Sequence, residues 1–366
     1  MRFTIQREIL LKPLQAVASV VERRQTLPIL GNLLLVVTEN QLAVTATDLE
    51  VELVGRIPLM MAEPGKITVP ARKLLDICRA LPETTEVSIA IEGERVLLRA
   101  GKIRYTLATL PAEEFPNVEE VREGTKLSLP QDVLKGLIAR THFAMAVADV
   151  RYFLIGLLLE VEKGWLRTCA TDGHRLALSE LAAEVDPPNP IQVIVPRKGV
   201  GELSRLLQDS QTPIQVAIGT NHIQIILPDT TFTSKLIDGK FPDYQRVIPQ
   251  ATTKVVTIER EKLRQALSRA AIISNEKFRG VRVQVSEDKI RILAVNPEQE
   301  EAEEEVTAEY QGEPLEIGFN VGYLLDALGA IEDDRVTIRL TNADSSALIQ
   351  GEGNQSSRYV VMPMRL

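Results

Sequence analysis

Within the run CATDGHRLAL (169–178), an acid, a turn former, an imidazole and a guanidinium fall at Asp172, Gly173, His174 and Arg175. Asp, His and Arg are the side chains of general acid–base and phosphoryl-transfer sites, and the chain has only two other histidines, His142 and His222. A phosphohydrolase using Asp172 and His174 is therefore one reading of the stretch. Against it, there is no Walker loop, no HExxH, no nucleophile elbow and no cluster of metal ligands, whereas catalytic sites gather several such groups. The expectation is no catalytic residue, no cofactor and no metal. What the stretch does is decided by the elements that hold it.

A chain of 366 residues exceeds one ordinary core and points to two or three domains. Apolar residues make up 45%, enough for real cores, and no Pro/Gly/Ser or charge block is long enough to suggest disorder. The opening MRFTIQREILLKPL alternates and carries charge, so it reads as neither a signal nor a transit peptide. No apolar run approaches membrane-spanning length, and no membrane partner is expected. Cys78 and Cys169 are unpatterned thiols, in keeping with a reducing cytoplasm. A net charge of −8 argues against a nucleic-acid partner until the charge is located.

Self-similarity at a long period organises the rest. FTIQREILLKPLQAVASVV from Phe3, LSLPQDVLKGLIARTHFAMA from Leu127 and VTIEREKLRQALSRAAIIS from Val256 each read as a short alternating strand followed by a helix. An acid falls near each helix start, at Glu8, Asp132 and Glu261, where the dipole favours it. Two alternating strands around a polar turn, then a third, follow in LLLVVTENQLAVTATDLEVEL, LLLEVEKGWLRTCATDGHRLAL and VRVQVSEDKIRILAVNPEQEEAE. A strand running into a second helix comes next in ITVPARKLLDICRAL, VIVPRKGVGELSRLL and IGFNVGYLLDALGAI, with Pro70, Pro196 and Asn320 at the junction. The first two copies close on FPN (115–117) and FPDY (241–244).

Asp48, Asp172 and Asn296 occupy one place in this repeat. The TD of CATDGHR thus belongs to a strand-end turn of the scaffold, with the Asp side chain expected to bond nearby backbone amides. His174 and Arg175 are peculiar to the second copy, since the first has Glu50 and Val51 there.

With QTLPILGNLLL (25–35), TDGHRLA (171–177), VPRKGV (195–200), SKLIDGKFPDY (234–244), SNEKFRGVR (274–282), NPEQEEAEE (296–304) and the terminal VMPMRL (361–366), the whole chain resembles the bacterial DNA polymerase III beta subunit, the sliding clamp. The resemblance implies an α+β DNA clamp fold with three similar domains, 1–125, 126–250 and 251–366, each with two inner helices backed by sheets. It implies a head-to-tail homodimer closing a six-domain ring. Twelve helices at roughly 10 Å spacing would leave a hole of about 28 Å, enough for a duplex and water. The implied activity is processivity, not catalysis, in the nucleoid-associated cytoplasm. The implied partners are double-stranded DNA without sequence preference, the replicative polymerase, an ATP-driven clamp loader, and other replication and repair proteins that dock short linear peptides.

By the same resemblance, a peptide cleft between the second and third copies is formed by Leu154, Thr171, Gly173, His174, Arg175, Leu176, Pro242, Arg246 and Val247 with Asn320, Tyr323, Ser346, Val360, Val361, Met362, Pro363, Met364 and Arg365. Gly173 would permit the turn, Leu176 give apolar contact and Arg175 serve as polar anchor. Adaptable Met side chains suit a promiscuous peptide site.

If the helices line a DNA channel they should be basic although the chain is acidic. Five of the six helical segments carry net positive charge and all six together +8, so the remainder carries −16. Arg24, Arg72, Arg197, Lys198 and Lys277 are the DNA-contact candidates. Tyr152 and Phe153 are the nearest approach to a stacking pair, although the start of a buried strand would equally explain them. For the dimer, PEQEEAEEE (297–305), with Glu298, Glu300, Glu301, Glu303 and Glu304, offers an acidic strand, and GKIRYTL (101–107), with Lys102 and Arg104, a basic one. Such edges repel their own kind and pair head to tail. Ile272, Ile273, Tyr105 and Leu107 would supply burial there, with Lys73 at the same interface. A repeat scaffold that binds proteins but no DNA is the competing non-enzymatic reading.

Overall fold

The computed structural model describes residues 1–22, 27–116, 121 and 124–365. Its six α-helices among these residues are α1 (Arg7–Val17), α2 (Ala71–Ala80), α3 (Gln131–Ala139), α4 (Arg197–Leu206), α5 (Arg260–Ile273) and α6 (Val321–Ala330). Strands Arg2–Gln6, Thr125–Pro130 and Lys254–Glu259 lead straight into α1, α3 and α5. Each buries alternate residues: Phe3 and Ile5, Leu127 and Leu129, Val256 and Ile258. The period then changes, and Leu10, Leu14 and Val17 of α1 and Leu263, Ala266, Leu267 and Ala270 of α5 form buried helical stripes.

The first residue of each leading helix ties it to the end of the second. Arg7 Nε and Nη2 donate to the carbonyls of Cys78 and Arg79 at 2.8 and 3.1 Å, and Arg260 Nη1 to that of Ile331 at 2.6 Å. Gln131 does the corresponding work in the middle repeat, its Oε1 accepting from the Gln208 amide at 3.2 Å. In the first and third repeats helix-end carbonyls that have no partner within their own helix are thereby satisfied, and in the middle repeat the amide of Gln208, just past α4, is satisfied instead. Two cations of the basic helices, Arg7 and Arg260, are therefore structural.

The chain divides into two compact units, Met1–Asp132 with Gly201–Leu236 and Val133–Val200 with Ile237–Leu366. The division cuts through the middle repeat because the sheets do not stop at repeat boundaries. In the first unit an eight-stranded sheet takes Gly65–Pro70, Asn32–Val37, Gln41–Thr47 and Val51–Pro58 from the first repeat and continues through Thr230–Lys235, His222–Ile226, Pro213–Ile218 and Thr125–Pro130 of the second. The junction is antiparallel, with Leu53 opposite Phe232. In the second unit Ile191–Pro196, Gly156–Glu162, Trp165–Thr171 and Arg175–Ala182 continue through Ser357–Val361, Ala347–Gly351, Arg335–Leu340 and Lys254–Glu259, and Leu176 faces Val360 across the junction.

Each unit also holds one unfinished sheet. In the first, Ala62–Glu63, Arg2–Gln6, Glu86–Glu92, Arg95–Ala100 and Ile103–Ala108 form five strands ending on Ile103–Ala108. In the second, Leu315–Asn320, Gly280–Ser286, Lys289–Val295 and Glu301–Thr307 form four ending on Glu301–Thr307. Each unit carries one buried free thiol, Cys78 on α2 and Cys169 on Trp165–Thr171.

Gly156 begins the strand that follows the turn Tyr152–Ile155. A Cβ there would stand 2.5 Å from Ile194 Cγ2 and 2.9 Å from both Ile237 Cδ1 and the Val195 carbonyl. Gly156→Ala is expected to cost about 1–3 kcal/mol by overpacking, read as a lower thermal midpoint.

Candidate docking groove

The Asp172 turn is the turn its sequence implied. Asp172 Oδ1 accepts from the amides of His174 and Arg175 at 2.9 and 3.0 Å, while Thr171 Oγ1 donates to the Arg175 carbonyl at 2.6 Å and accepts from the Gly173 amide at 3.1 Å. The first repeat reproduces it: Asp48 Oδ1 accepts from Glu50 and Val51 at 2.9 and 2.7 Å, and Thr47 Oγ1 takes the place of Thr171 Oγ1. In the third repeat Asn296 Oδ1 accepts from the Glu300 amide at 2.8 Å, one residue further on. The residue after the acid is left-handed in both of the first two turns, φ 88° at Gly173 and 79° at Leu49. Glycine makes that conformation cheap in the second repeat.

Arg175 is not a free anchor. Its Nε pairs with Asp172 Oδ2 at 3.2 Å, its Nη2 donates to the Phe143 carbonyl at 2.9 Å, and its Nη1 pairs with Asp326 of α6. The guanidinium also lies over the rings of Tyr323, 4.5 Å from the centroid, and Phe143, at 5.4 Å. With its side chain 13% exposed, Arg175 rivets the turn to α6 and to the residues after α3. The guanidinium expected to serve as polar anchor is thus paired within the fold, while the residue still lines the adjoining groove. Two of its partners, Phe143 and Asp326, lie 32 and 151 positions away in sequence, and the third, Asp172, lies three.

A groove of about 210 Å³ opens against this turn. Of the expected cleft residues Leu154, Thr171, Gly173, Arg175, Leu176, Pro242, Val247, Val360 and Met362 line it, and Arg151, Phe153, Asp243 and Tyr244 complete it. Leu176 and Val360, paired across the sheet junction, are buried. Tyr244 is held by an ionic network: its hydroxyl donates to buried Glu160, which accepts from Arg167 at 3.1 Å and from Gln192 at 2.6 Å, and Arg167 reaches Glu180 at 2.9 Å. Burial and the adjacent Glu160 carboxylate push the Tyr244 hydroxyl pKa up, so it remains a donor. Tyr244 also lines a second hollow of about 220 Å³, together with Arg167, Leu178, Glu180, Ile248 and Arg358 among others.

Arg151 forms the rim. Its Nε and Nη2 pair with Asp149 at 3.0 and 2.8 Å, and these bonds hold the Asp149 carboxyl down to about 2. Only the FPDY repeat ending could have flagged Tyr244 in the sequence, and nothing there links it to Glu160.

The other expected cleft residues lie outside the groove lining. His174 is exposed and stacks on half-buried Tyr323, centroids 6.5 Å apart. Asn320 caps α6, accepting from Gly322 and Tyr323 amides at 2.8 and 3.3 Å and donating to the Phe278 carbonyl, which commits its side chain. Val361 is a core residue at 1% exposure, with no surface to offer a ligand. Arg246 is exposed and paired with Asp243 at 2.7 Å. Ser346 is half-buried. The tail is pinned by its backbone, Met362 N to His174 O at 3.0 Å and Met364 N to Gly318 O at 2.8 Å, which leaves Pro363 and Met364 half-buried and Arg365 exposed.

The DNA-contact candidates are unequally free. Arg24 lies outside the described residues. Arg72 and Lys73 are exposed in the first turn of α2 with no ion pair among the described residues. Half-buried Arg197 donates to the carbonyls of Met145 and Ala146 at 2.9 and 3.5 Å, so part of its fork is committed, and Lys198 beside it is half-buried too. Lys277 is exposed over the Phe278 ring at 5.3 Å. Tyr152 and Phe153 lie in the turn before a strand, edge to face at 5.9 Å, with Tyr152 exposed.

At the open sheet edges Lys102, Arg104 and Tyr105 are exposed, whereas Leu107 faces its own core at 7% exposure and has little surface for a second chain. Ile272, 79% exposed, and half-buried Ile273 end α5. The acidic edge is partly neutralised from within: Glu304 pairs with Arg269 at 2.6 Å, Glu303 with Arg291 at 3.1 Å and Glu305 with Lys289 at 2.9 Å. Glu298 and Glu300 sit in the turn before the strand, Glu300 accepting from Asn296 Nδ2 at 2.6 Å, and Glu301 opens the strand.

Comparison with known proteins gives the lineage. Residues 1–119, 128–243 and 245–365 match the N-terminal, central and C-terminal domains of the DNA polymerase III beta subunit. The beta sliding clamp of Pseudomonas aeruginosa is 57% identical over the full length of both chains. The crystal structure of the DNA polymerase III subunit beta from the same organism superposes with a TM-score of 0.98 over both whole chains at 57% identity. A second structure of that clamp, bound to griselimycin, has a TM-score of 0.97 at 57% identity, again over both whole chains. The chain belongs to the DNA polymerase III beta subunit family, the sliding clamps.

Replacing Arg175 by Ala would leave Asp172 and Asp326 without their cation and the Phe143 carbonyl without its donor. A loss of roughly 2 kcal/mol in unfolding free energy is expected, measured by denaturant titration.

Proposed function

We propose that two copies of this chain join head to tail into a ring that encircles duplex DNA and tethers the replicative polymerase, with partner proteins docking short linear segments in the Leu176–Val360 groove. The observation that carries the ring is the pair of unfinished sheets. Twice within the chain, four strands of one repeat are completed by four of the next; the two smaller sheets have no such complement, one ending on Ile103–Ala108 in the first repeat and the other on Glu301–Thr307 in the third. Set edge to edge between two chains, they make the same four-plus-four sheet, with the short strand Ala62–Glu63 added at one rim. Lys102 and Arg104 then oppose Glu301 and its neighbours, and Ile272 and Ile273 gain the cover they lack. This closing contact is heterologous, so two copies close rather than polymerise only if the rotation completes a circle.

Three domains bounded near residues 125 and 250 fit the repeat. Arg72, Arg197, Lys198 and Lys277 supply weak, sequence-independent phosphate contacts from the helix side of the ring, with Arg24 as a further cation. Loading by an ATP-driven partner, residence in the cytoplasm with the nucleoid, and the absence of any reaction of its own complete the reading. Both oxygens of Asp172 are taken up in its own turn, which supports binding over hydrolysis at TDGHR.

Three experiments test it. Ile272→Ala with Ile273→Ala is expected to raise the dimer dissociation constant about 100-fold or more, seen by analytical ultracentrifugation; a double variant still dimeric at low micromolar concentration would refute the proposed interface. Protein loaded on closed circular DNA should survive moderate salt and leave once the circle is cut. Equal loss from both would refute encirclement. For the groove, griselimycin serves as probe. A chain ending at Val361 keeps the Ser357–Val361 strand but loses the Met362 wall, and it is expected to bind griselimycin at least tenfold more weakly while remaining dimeric.

A further inference from the structure

Thioethers are the reactive groups that the docking reading leaves without a chemical role, and the fold grades their accessibility. Met145 is 3% exposed, whereas Met60 and Met61, on the turn after Val51–Pro58, are 100% and 85% exposed. Met362 is 37% exposed and stands on the groove wall with Leu176, Val247 and Val360. Its backbone cannot swing away, because its amide is bonded to the His174 carbonyl at 3.0 Å. The residue is thus partly open to small molecules in solution and stands on the surface that a docked segment covers.

We propose that Met362 is an oxidation site through which a hydroperoxide lowers docking affinity; the proposal rests on the groove reading above. With hydrogen peroxide, a sulfur lone pair attacks one peroxide oxygen and an S–O bond forms as the O–O bond breaks. The departing hydroxide takes the proton of the transferred oxygen and leaves as water. Sulfur is oxidised by two electrons and the peroxide reduced by two. The product, a sulfoxide, puts a strong dipole among Leu176, Val247 and Val360, where a docked apolar side chain must strip its water without replacing the hydrogen bonds. Met60 and Met61 lie in the other compact unit and supply an internal measure of exposure alone.

The test treats the full chain with hydrogen peroxide, maps sulfoxides by peptide mass spectrometry and titrates griselimycin at each stage. Met60 and Met61 are expected to convert first with affinity unchanged, and affinity to fall about tenfold as Met362 sulfoxide accumulates. Methionine sulfoxide reductase should restore it, and bound griselimycin should slow conversion of Met362 but not of Met60. Met362→Leu, judged against its own untreated affinity, should show no peroxide effect, while a Met60→Leu/Met61→Leu chain should behave as the parent does. Unchanged affinity at full Met362 sulfoxide, an equal loss in Met362→Leu, or Met362 still unreacted under peroxide well in excess of that which consumes Met60 and Met61 would each overturn the proposal. If the untreated chain fails to bind griselimycin, the groove reading itself falls and this inference with it. That outcome is distinguishable because it precedes any oxidation.

Discussion

A strand at the rim of a sheet presents a row of amides and carbonyls that only another strand can fully satisfy, and this unmet bonding organises the chain. Each repeat builds half-sheets whose last strand has one bare side. Val51–Pro58 meets Thr230–Lys235, and Arg175–Ala182 meets Ser357–Val361, over five residue pairs each. Because these ladders cross repeat boundaries, the compact units do not coincide with the repeats. The groove follows from the same cause. It forms where the second junction brings Leu176 beside Val360 and the chain's last residues beside the Asp172 turn.

Rigidity around the groove comes from polar groups that are bonded on every side. Arg175 on one flank and Glu160 on the other gather their partners from distant strands and helices. Removing one member of such a network strands the rest in a low-dielectric setting, so the wall behaves as one piece. A binding surface fixed in this way spends little of its interaction energy on ordering itself.

Much of the fold was legible in the sequence. The change from alternating to helical spacing after residues 6, 130 and 259 marked the three leading helices, since the apolar period is set by backbone geometry. The Asp172 turn could be read because its bonds span at most four residues. What could not be read depends on long-range pairing. Asp326 reaches Arg175 from 151 positions away, and Tyr244 finds Glu160 across 84. The glutamate run looked like one continuous acidic edge, yet Lys289, Arg291 and Arg269 neutralise part of it. Leu107 looked available in an alternating exposed strand, although alternation alone does not say which side faces the core. The cleft residues named by resemblance divided along the same line. Leu176 and Val360, paired across the sheet junction, line the groove, whereas Asn320 is consumed by capping and Val361, next to Val360 on the same strand, by the core.

The two buried thiols give the architecture a clock. Burial pushes Cys78 up to about 11 and Cys169 far above the ordinary thiol range, so neither is a nucleophile while its surroundings are closed. One lies in each compact unit, and both are fully buried. Any alkylation of the native chain therefore counts excursions in which that unit has come apart locally, and the two sites count separately. Two otherwise idle sulfur atoms thus carry independent records of how often each compact unit loosens.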